Sequence, residues 1–258
     1  MGFDAAVSLR IAANQRLMRD THRGEYRDLG GALAITSDAP VALWNCIEGF
    51  TTDERRLDGL LDIGFALLRA FDQPPAARLT PLDRPRGIDA RLRQRGLTED
   101  ARETSMTFRG NAANIRINSA IDVRRAVPDD ASVFAAVQAQ VNAPKEKWAR
   151  GFLLGAALAN VLEEAHAFYI ACAGGEPIGT ALVVQEEGVA GIYSVATLKA
   201  HRRTGVASTL MARAISDARA SGAEIICMEC ATGSDAMRLY AAMGFEPAHE
   251  SVLWIGRG

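Results

Sequence analysis

The sequence predicts an α/β protein whose mixed α+β sheet is built from two similar halves, residues 1–115 and 116–258. Three observations predict this organisation. Short apolar or alternating segments typical of strands take turns with longer segments of helical periodicity along the 258 residues. A small, polar stretch at 110–114 interrupts the pattern, which then restarts. Features of the first half also recur in the second half at a nearly constant offset.

The second half has the clearer pattern. Residues 121–124 alternate as a short strand does, and Pro128 with two aspartates opens a helix through residue 141, because proline and acidic residues suit a first turn. The remaining elements are predicted in this order: helix 148–165, strand 168–173, a turn at 174–176, strand 177–185, strand 189–197, helix 205–221, strand 225–230, helix 234–243 and a last strand through 255.

The first half is a weaker copy of that order. Its Gly96-Leu97 pair stands 148 positions before Gly244-Phe245, and Trp44 stands 147 positions before Gly191 in the corresponding predicted strand. Two elements at nearly one offset indicate an internal duplication. The predicted elements are strands at 31–36, 41–46 and 78–82, and helices at 53–71 and 88–95.

Composition and charge exclude several classes of protein. With 48% hydrophobic and 23% charged residues, the chain is neither disordered, nor collagen-like, nor a disulfide-dense mini-protein. A net charge of −2 gives no general affinity for nucleic acid or an anionic membrane, so neither is predicted as a partner. No apolar stretch approaches the roughly 20 residues that span a bilayer, and no secretory signal pattern is present, so a cytoplasmic location is predicted.

The four cysteines fit a reducing compartment. Cys46 and Cys172 are isolated in apolar surroundings, which predicts small core residues. Cys227 and Cys230 form a Cys-x-x-Cys, but on a strand residues three apart face opposite sides of the sheet. We therefore expect neither a redox pair nor a metal site.

The segment from Val195 to Ala207 carries the sharpest chemical signal. A predicted strand ends, a short polar turn follows, and a helix begins with small residues. Helix N-termini offer free N–H groups and a positive dipole end to a phosphate. Gly205 and Ala207 let an anion approach the backbone closely, while Arg202 and Arg203 add positive charge. The spacing matches neither a Walker loop nor a Gly-x-Gly-x-x-Gly fingerprint.

These residues resemble the GNAT superfamily of acyl-coenzyme A dependent N-acyltransferases. Arg202-x-x-Gly205-x-Ala207 is similar to the pyrophosphate loop of that family, and Leu239-Tyr240-Ala241-Ala242-Met243-Gly244-Phe245 is similar to its Leu-Tyr-x-x-x-Gly-Phe ending. The element order of residues 121–255 agrees with the family fold. The resemblance therefore implies two GNAT-like domains, of which the C-terminal one is complete.

The resemblance also implies roles for individual residues. Acetyl-CoA is the implied co-substrate, and the acceptor is a primary amine of a small molecule or peptide. Tyr240 corresponds to the tyrosine that gives a proton to the departing thiolate, as a phenol with a pKa near 10 can. A main-chain N–H near Val195 would polarise the thioester carbonyl. The residues implied in donor binding are Val195, Ala196, Thr197, Arg202, Arg203, Thr204, Gly205, Val206, Ala207 and Ser208.

Two departures from the family pattern leave the general base open. Gly191 stands where some members have a glutamate, and Gly233 stands where an asparagine is expected at the start of the last helix. Glu229 and Tyr193 are candidates for the base, and a water chain is an alternative. Glu229 could instead only balance the charge of Arg202 or Arg203.

The first half is predicted to be inactive, since Leu92 stands at the position of Tyr240 and the phosphate loop is absent. Trp44 is either a core residue, the favoured interpretation, or a contact to the acceptor.

A different function is a non-catalytic sensor that only binds acyl-CoA. A third is use of an aminoacyl-tRNA donor, which a chain without basic surplus disfavours. Oligomeric state is left open, with a homodimer as one possibility.

Overall fold

The computed structural model describes residues 3–21, 24–142 and 145–257. Their seven α-helices are α1 (Ala5–Thr21), α2 (Glu54–Ala70), α3 (Ile88–Gln94), α4 (Ala131–Asn142), α5 (Lys147–Asn160), α6 (Val206–Ala220) and α7 (Asp235–Ala242). Their eleven strands are β1 (Glu25–Asp28), β2 (Leu33–Thr36), β3 (Cys46–Glu48), β4 (Ala76–Leu79), β5 (Thr98–Phe108), β6 (Asp122–Arg125), β7 (His166–Ala173), β8 (Glu176–Glu186), β9 (Val189–Thr197), β10 (Ile225–Ala231) and β11 (Phe245–Ile255).

All of these strands join in one mixed sheet, in the order β1-β2-β3-β4-β11-β5-β10-β9-β8-β7-β6. β3 runs parallel to β4, and β9 runs parallel to β10. The other neighbours are antiparallel. Each half thus contributes one parallel pair to an otherwise antiparallel sheet, and the predicted α/β class with a mixed sheet is confirmed.

The last strand of each half pairs with a strand of the other half. β5 lies beside β10, and β11 lies beside β4. The two exchanged strands also pair with each other, and each is 11 residues long. Their first residues, 98 and 245, and their last residues, 108 and 255, are both 147 positions apart. This supports the predicted duplication, while the boundary at 115/116 stays a prediction because the sheet runs across it.

Three parts of the first half differ from the prediction. Residues 42–44 form a 3-10 turn rather than a strand, and β3 begins at Cys46. β4 ends at Leu79 because Asp83 accepts a hydrogen bond from the Thr80 hydroxyl at 3.0 Å and turns the chain. β1 and β5 were not predicted. β5 opens with Thr-Glu-Asp-Ala-Arg-Glu, which has no apolar alternation to mark a strand.

Two large apolar clusters hold the layers together. In the second half, α6 packs Leu210, Met211 and Ile215 on the sheet at 0% exposure. In the first half, α2 packs Leu61 and Leu68 in the same way. Both helices present apolar residues at a spacing of three or four, which places them on one face. The clusters share strand β11, since Phe245 belongs to one and Trp254 to the other.

Helix α1 belongs to the first half in sequence but packs on the second. Ile11 contacts Val189 and Cys227 in a small apolar cluster. The amide of Asn14 donates to the carbonyl oxygens of Val184 at 2.9 Å and Val189 at 3.2 Å. α1 therefore covers the face of β8 and β9 opposite α6, and the second half depends on the first for part of its core.

The cysteines and the helices also bear on the predictions. Cys46, Cys172, Cys227 and Cys230 are free thiols; Cys172 is half-buried and the others are buried. Cys227 contacts the α1 side of the sheet, whereas Cys230 belongs to the cluster on the α6 side, as the strand geometry predicts.

In the ranges that the structure describes, no helix has the length and apolar character needed to cross a membrane.

Candidate functional site

The turn between β9 and α6 has the geometry of an anion site. Gly205 adopts a left-handed conformation with φ of 91° directly before α6, and Arg203 has φ of 64°. The side chains of Arg202, Arg203 and Thr204 are exposed. Because a left-handed residue turns the chain sharply, the backbone of this turn faces outward at the positive end of the helix dipole.

The backbone N–H groups of this turn are free. Across the described residues, no backbone hydrogen bond uses the N–H groups of residues 203–208, whereas that of Thr209 reaches the Gly205 carbonyl at 2.9 Å. The amide of Asn118 donates to the Thr204 carbonyl at 2.8 Å and steadies the turn from outside. Free donors with nearby cations are what a pyrophosphate requires. The turn therefore has the free donors and positive charge of an anion-binding site.

A cleft of about 630 Å³ borders this turn. Arg203, Thr204, Gly205 and Ser208 line one side of it. The other side comes from the segment after β5 and from α7. The other six of the ten predicted donor residues do not line this cleft, and two of them, Ala196 and Val206, are buried, so that only their backbone can contribute.

Next to the turn, the two parallel strands of the second half separate. β9 and β10 pair from Val189 to Ile192 and no further. A bulge in the pairing of β9 with β8 follows at residues 194–195, and Ser194 has φ of 51°. Bulges re-aim side chains and backbone beside functional sites. The edge of β9 that carries Val195 is thereby left without a strand partner on the β10 side.

Gln138 on α4 holds this bulge. Its buried amide donates to the Ser194 carbonyl and to the Thr180 hydroxyl, the latter at 2.7 Å. The side-chain amide of Asn142 donates to the side-chain oxygen Oε1 of Gln138 at 2.7 Å and fixes the orientation of the Gln138 side chain. Sequence patterns alone do not reveal this role, since Gln138 stands in an ordinary helical segment.

The gap between β9 and β10 opens into a cavity of about 890 Å³, called here the central cavity. Both halves of the chain line it. From the first half come Met18, Pro40, Val41, Leu43, Trp44 and Glu103. From the second half come Gln138, Asn142, Glu146, Trp148, Ala149, Leu153, Ile192, Tyr193, Ser194, Val195, Met228, Glu229, Cys230, Ala236 and Tyr240. Five candidate site residues of the sequence thus line one space: Trp44, Tyr193, Val195, Glu229 and Tyr240.

Tyr240 reaches the central cavity from α7. Ser234 caps that helix by accepting a hydrogen bond from the Met237 N–H at 3.1 Å. The Tyr240 ring packs edge-on against Phe245, with 6.1 Å between ring centroids. Burial, with a smaller contribution from Cys230, raises the pKa of the Tyr240 hydroxyl to about 12. The hydroxyl is therefore a proton donor at neutral pH.

Glu229 stands in a buried ion pair. Arg78 of β4 contacts it directly, with 2% of the arginine side chain and 8% of the glutamate side chain exposed. The Ser251 hydroxyl donates to the same carboxylate oxygen of Glu229 at 3.3 Å. The expected partners Arg202 and Arg203 lie at the turn instead, so the charge of Glu229 is balanced by the first half of the chain.

The space beside Gly191, where some members of the resembled family have a glutamate, is filled by other side chains. A side chain at Gly191 would place its Cβ 2.1 Å from the Asn14 carboxamide oxygen and 2.3 Å from the Tyr193 ring. The Tyr193 hydroxyl donates to that oxygen at 2.7 Å, and burial raises its pKa well above 10. Tyr193 therefore holds its proton, which argues against its role as the base.

Glu103 and Trp44 also line the central cavity, and neither stands in the two sequence motifs. Glu103 lies on the exchanged strand β5 and enters the central cavity beside Glu229. Trp44 is half-buried, not a closed core residue as favoured, and its ring stacks on Phe152 at 5.2 Å. No sequence pattern points to Glu103, because the charged start of β5 has no apolar alternation that predicts a strand.

The corresponding groove of the first half is closed by its own chain. The Phe50 N–H donates to an Asp83 carboxylate oxygen at 2.7 Å, and the Phe50 carbonyl accepts from the Arg84 N–H at 2.9 Å. Asp53 accepts from the N–H groups of Arg55 and Arg56, at 2.9 and 3.0 Å, and so fills the anion position of α2. Within the described ranges, no group of three or more His, Cys, Asp or Glu residues could hold a metal ion.

Comparisons with known proteins agree with this geometry. Residues 135–245 match the model of the acetyltransferase (GNAT) family. A GCN5-related N-acetyltransferase from Kribbella flavida has a similar fold, with a TM-score of 0.72 and 19% identity over 96% of this chain and 95% of that one. The comparison with curated proteins found no match.

Two further structures share the fold. A GCN5-related N-acetyltransferase from Sphaerobacter thermophilus gives a TM-score of 0.68 at 17% identity, over 93% of this chain and 84% of that one. A tandem GNAT protein from the clavulanic acid biosynthesis pathway gives 0.63 at 14% identity, over 90% and 78%. These likenesses show the tandem fold that the sequence predicted.

Proposed function

We propose that the protein is an N-acyltransferase, because residues 135–245 match the model of the GNAT family and the chain shares the fold of a tandem GNAT protein. It moves an acetyl group from acetyl-CoA to a primary amine of a small molecule or peptide. One observation carries the proposal: the strand gap beside the free N-terminus of α6 opens into a cavity that holds both Val195 and Tyr240.

The chain offers a continuous donor path. The N–H groups of residues 203–208 bind the pyrophosphate, and Arg202 and Arg203 lend positive charge. The unpaired edge of β9 from Tyr193 to Thr197 accepts the amide groups of the pantetheine arm. Acetyl-CoA supplies an activated acyl group, and the first-half groove offers no second place for it because its backbone groups are already paired.

Two groups handle the charge that develops during transfer. The backbone N–H of Val195 donates to the carbonyl oxygen as it becomes negative. Tyr240 donates its proton to the departing sulfur. Cys230 also lines the cavity, but burial raises the pKa of its thiol to about 11, so it remains a weak nucleophile at neutral pH. Transfer is therefore direct, without an acyl-enzyme.

The central cavity receives the acceptor from the face that α1, α4 and α5 cover. Its wall combines the rings of Trp44 and Trp148 with the carboxylates of Glu103 and Glu229. Such a wall suits an amine that carries an apolar body. A volume of about 890 Å³ matches a small molecule or the end of one side chain, and the first half helps to select it.

A protein that binds acyl-CoA without turnover is the second candidate. The filled position at Gly191 favours it, since no glutamate can occupy that site. The two functions differ in what Tyr240 does, because a binding protein has no use for a proton donor at the sulfur.

The variant Tyr240→Phe separates the two functions. We expect unchanged binding of acetyl-CoA and a loss of about 100-fold in kcat, the range typical of general acid catalysis. Free thiol release is measured with 2-phenylethylamine, spermidine and a lysine-containing peptide as acceptors. Tyr169→Phe is the matched control, since the Tyr169 hydroxyl bonds to Asp217 away from the cavity. Wild-type protein that binds acetyl-CoA but releases no thiol with any acceptor would favour the binding function.

A further inference from the structure

We infer that Glu103, on the strand that the first half exchanges into the second, is the general base that takes the proton from the acceptor amine. The inference rests on the proposed acyl transfer and assigns the role that the family pattern leaves open. It stands on the position of Glu103 in the sheet, on the engagement of its neighbour Glu229, and on the arrangement of both around the strand gap.

The register of β5 and β10 places the two carboxylates side by side. Glu103 lies opposite Ala231, and Ser105 lies opposite Glu229. Residues two apart on a strand share a face, so Glu103 and Glu229 are diagonal neighbours on the same side of the sheet. Both side chains line the central cavity, where the charge of Glu229 acts on the Glu103 carboxyl.

The two glutamates differ in the ion pairs and hydrogen bonds that hold their side chains. Glu229 is held by Arg78 and by the Ser251 hydroxyl, and its side chain is 8% exposed. Among the described residues, no cation forms an ion pair with Glu103, and its side chain is half-buried at the cavity wall. Glu103 can therefore reach a ligand, whereas Glu229 stays in its pair and acts as a fixed negative charge.

The surroundings tune Glu103 for proton transfer near neutral pH. Burial is the larger cause and the charge of Glu229 the next, and together they raise the pKa of Glu103 to about 7. Arg78 of β4 and Arg19 of α1 face the same carboxyl and oppose the rise. A base with a pKa near the working pH combines availability with proton affinity, which favours catalysis.

Acid and base lie on opposite faces of the sheet. Tyr240 packs with Cys230 and Phe245 on the α6 side. Glu229, and with it Glu103, occupies the other face, because alternate residues of β10 point to opposite sides. The gap between β9 and β10 joins the faces. An amine that enters from one side and a sulfur that leaves on the other each meet their own proton-handling group.

The proton and electron balance of the step is complete. The amine nitrogen forms a C–N bond to the carbonyl carbon with its lone pair, and the C–S bond breaks with its electron pair remaining on sulfur. Tyr240 gives its hydroxyl proton to that sulfur, and Glu103 takes the proton that the nitrogen loses. Solvent returns one proton from Glu103 to Tyr240, so the products are an amide and a free thiol.

The test compares Glu103→Gln with Asp100→Asn, an exposed acid on the same strand. With 2-phenylethylamine or spermidine as acceptor, we expect Glu103→Gln to lose at least about 100-fold in kcat while acetyl-CoA binding is unchanged. Asp100→Asn keeps the wild-type rate. Glu103→Asp retains a carboxylate and recovers part of the rate. Thermal unfolding and acetyl-CoA affinity verify that each variant is folded.

The dependence of kcat on pH separates chemistry from structure. The wild-type rate rises through about pH 7, because Glu103 accepts a proton only when ionised. Glu103→Gln removes this step. Glu229→Gln moves it to lower pH, since it removes a like charge and frees Arg78 to stabilise the ionised form.

Glu103→Gln with the wild-type kcat and an unchanged pH step would overturn the inference. Failure of the proposed function is distinguishable from failure of this inference, because the wild-type protein reveals it without any variant. Wild-type protein that transfers no acetyl group to any probe overturns both the function and the role of Glu103.

Discussion

Single residues at this site matter mainly through the backbone that they hold in place. Ser194 adopts a left-handed conformation that a non-glycine residue takes at a cost, and such strain persists only where neighbours enforce it. Gln138 is the enforcing neighbour, since its amide donates to both the Ser194 carbonyl and the Thr180 hydroxyl. The position of the Val195 N–H in the cavity therefore depends on one buried side chain of α4.

We expect Gln138→Met to damage both stability and donor binding. Methionine fills a similar volume but leaves two buried acceptors unpaired, which costs about 1–3 kcal/mol in the free energy of unfolding. The bulge relaxes, and the affinity for acetyl-CoA falls. Gln140→Met, an exposed position on the same helix, is the control for both measurements. Equal acetyl-CoA affinity in Gln138→Met and wild type would show that the bulge needs no such support.

Some site residues could be predicted from the sequence and others could not. Gly205 and Tyr240 stand in local motifs, so their spacing marks them as candidates without knowledge of the fold. Glu103 and Gln138 lie beside partners distant in sequence, Glu229 and Ser194, and no local pattern reveals a proximity that the sheet order creates. For the same reason the partner of Glu229 was expected among nearby arginines and is in fact Arg78.

At the scale of elements, the two parallel strand pairs explain why only one half offers the open groove that the proposed donor site needs. β9 and β10 separate and leave an open edge, whereas the groove after β3 is closed by Asp83 and Arg84. The N-terminus of α6 has free N–H groups, whereas that of α2 is capped by Asp53. We therefore expect one acetyl-CoA per chain, counted as the stoichiometry of a calorimetric titration.

The second-half elements were predicted well because each has a strong local signal. Apolar periodicity marks α6, and paired glycines mark the turn between β7 and β8. β5 was not predicted because its N-terminal residues are charged and exposed. It is a strand because it pairs with β10 and β11, which are distant in sequence. Residues 42–44 were predicted as a strand because apolar content alone does not exclude a 3-10 turn.

At the scale of the whole molecule, exchange of the last strands ties the halves into one folding unit. If the halves are separated, β10 and β4 each lose a neighbouring strand. The apolar cluster of Ile11, Val189 and Cys227 is also exposed, because α1 no longer packs on the second half. Unpaired strand edges and exposed apolar faces promote aggregation. The central cavity also loses the first-half residues that line it.

We therefore expect residues 116–258 produced alone to aggregate, and the same segment produced together with residues 1–115 to form a soluble pair. Size-exclusion chromatography distinguishes the two results. A monodisperse 116–258 segment that binds acetyl-CoA as tightly as the full chain would show that the exchanged strand is dispensable.

Donor binding at the N-terminus of α6 is the central claim, and a calorimetric titration with acetyl-CoA and with desulfo-coenzyme A tests it most directly. Gly205→Glu puts a carboxylate where the pyrophosphate sits. Gly222→Glu is the matched control, since Gly222 ends the same helix with a similar φ of 86° and open space around it. We predict one site per chain in the wild type and in Gly222→Glu, and none in Gly205→Glu. No binding to the wild type, or equal binding to Gly205→Glu, would contradict the account.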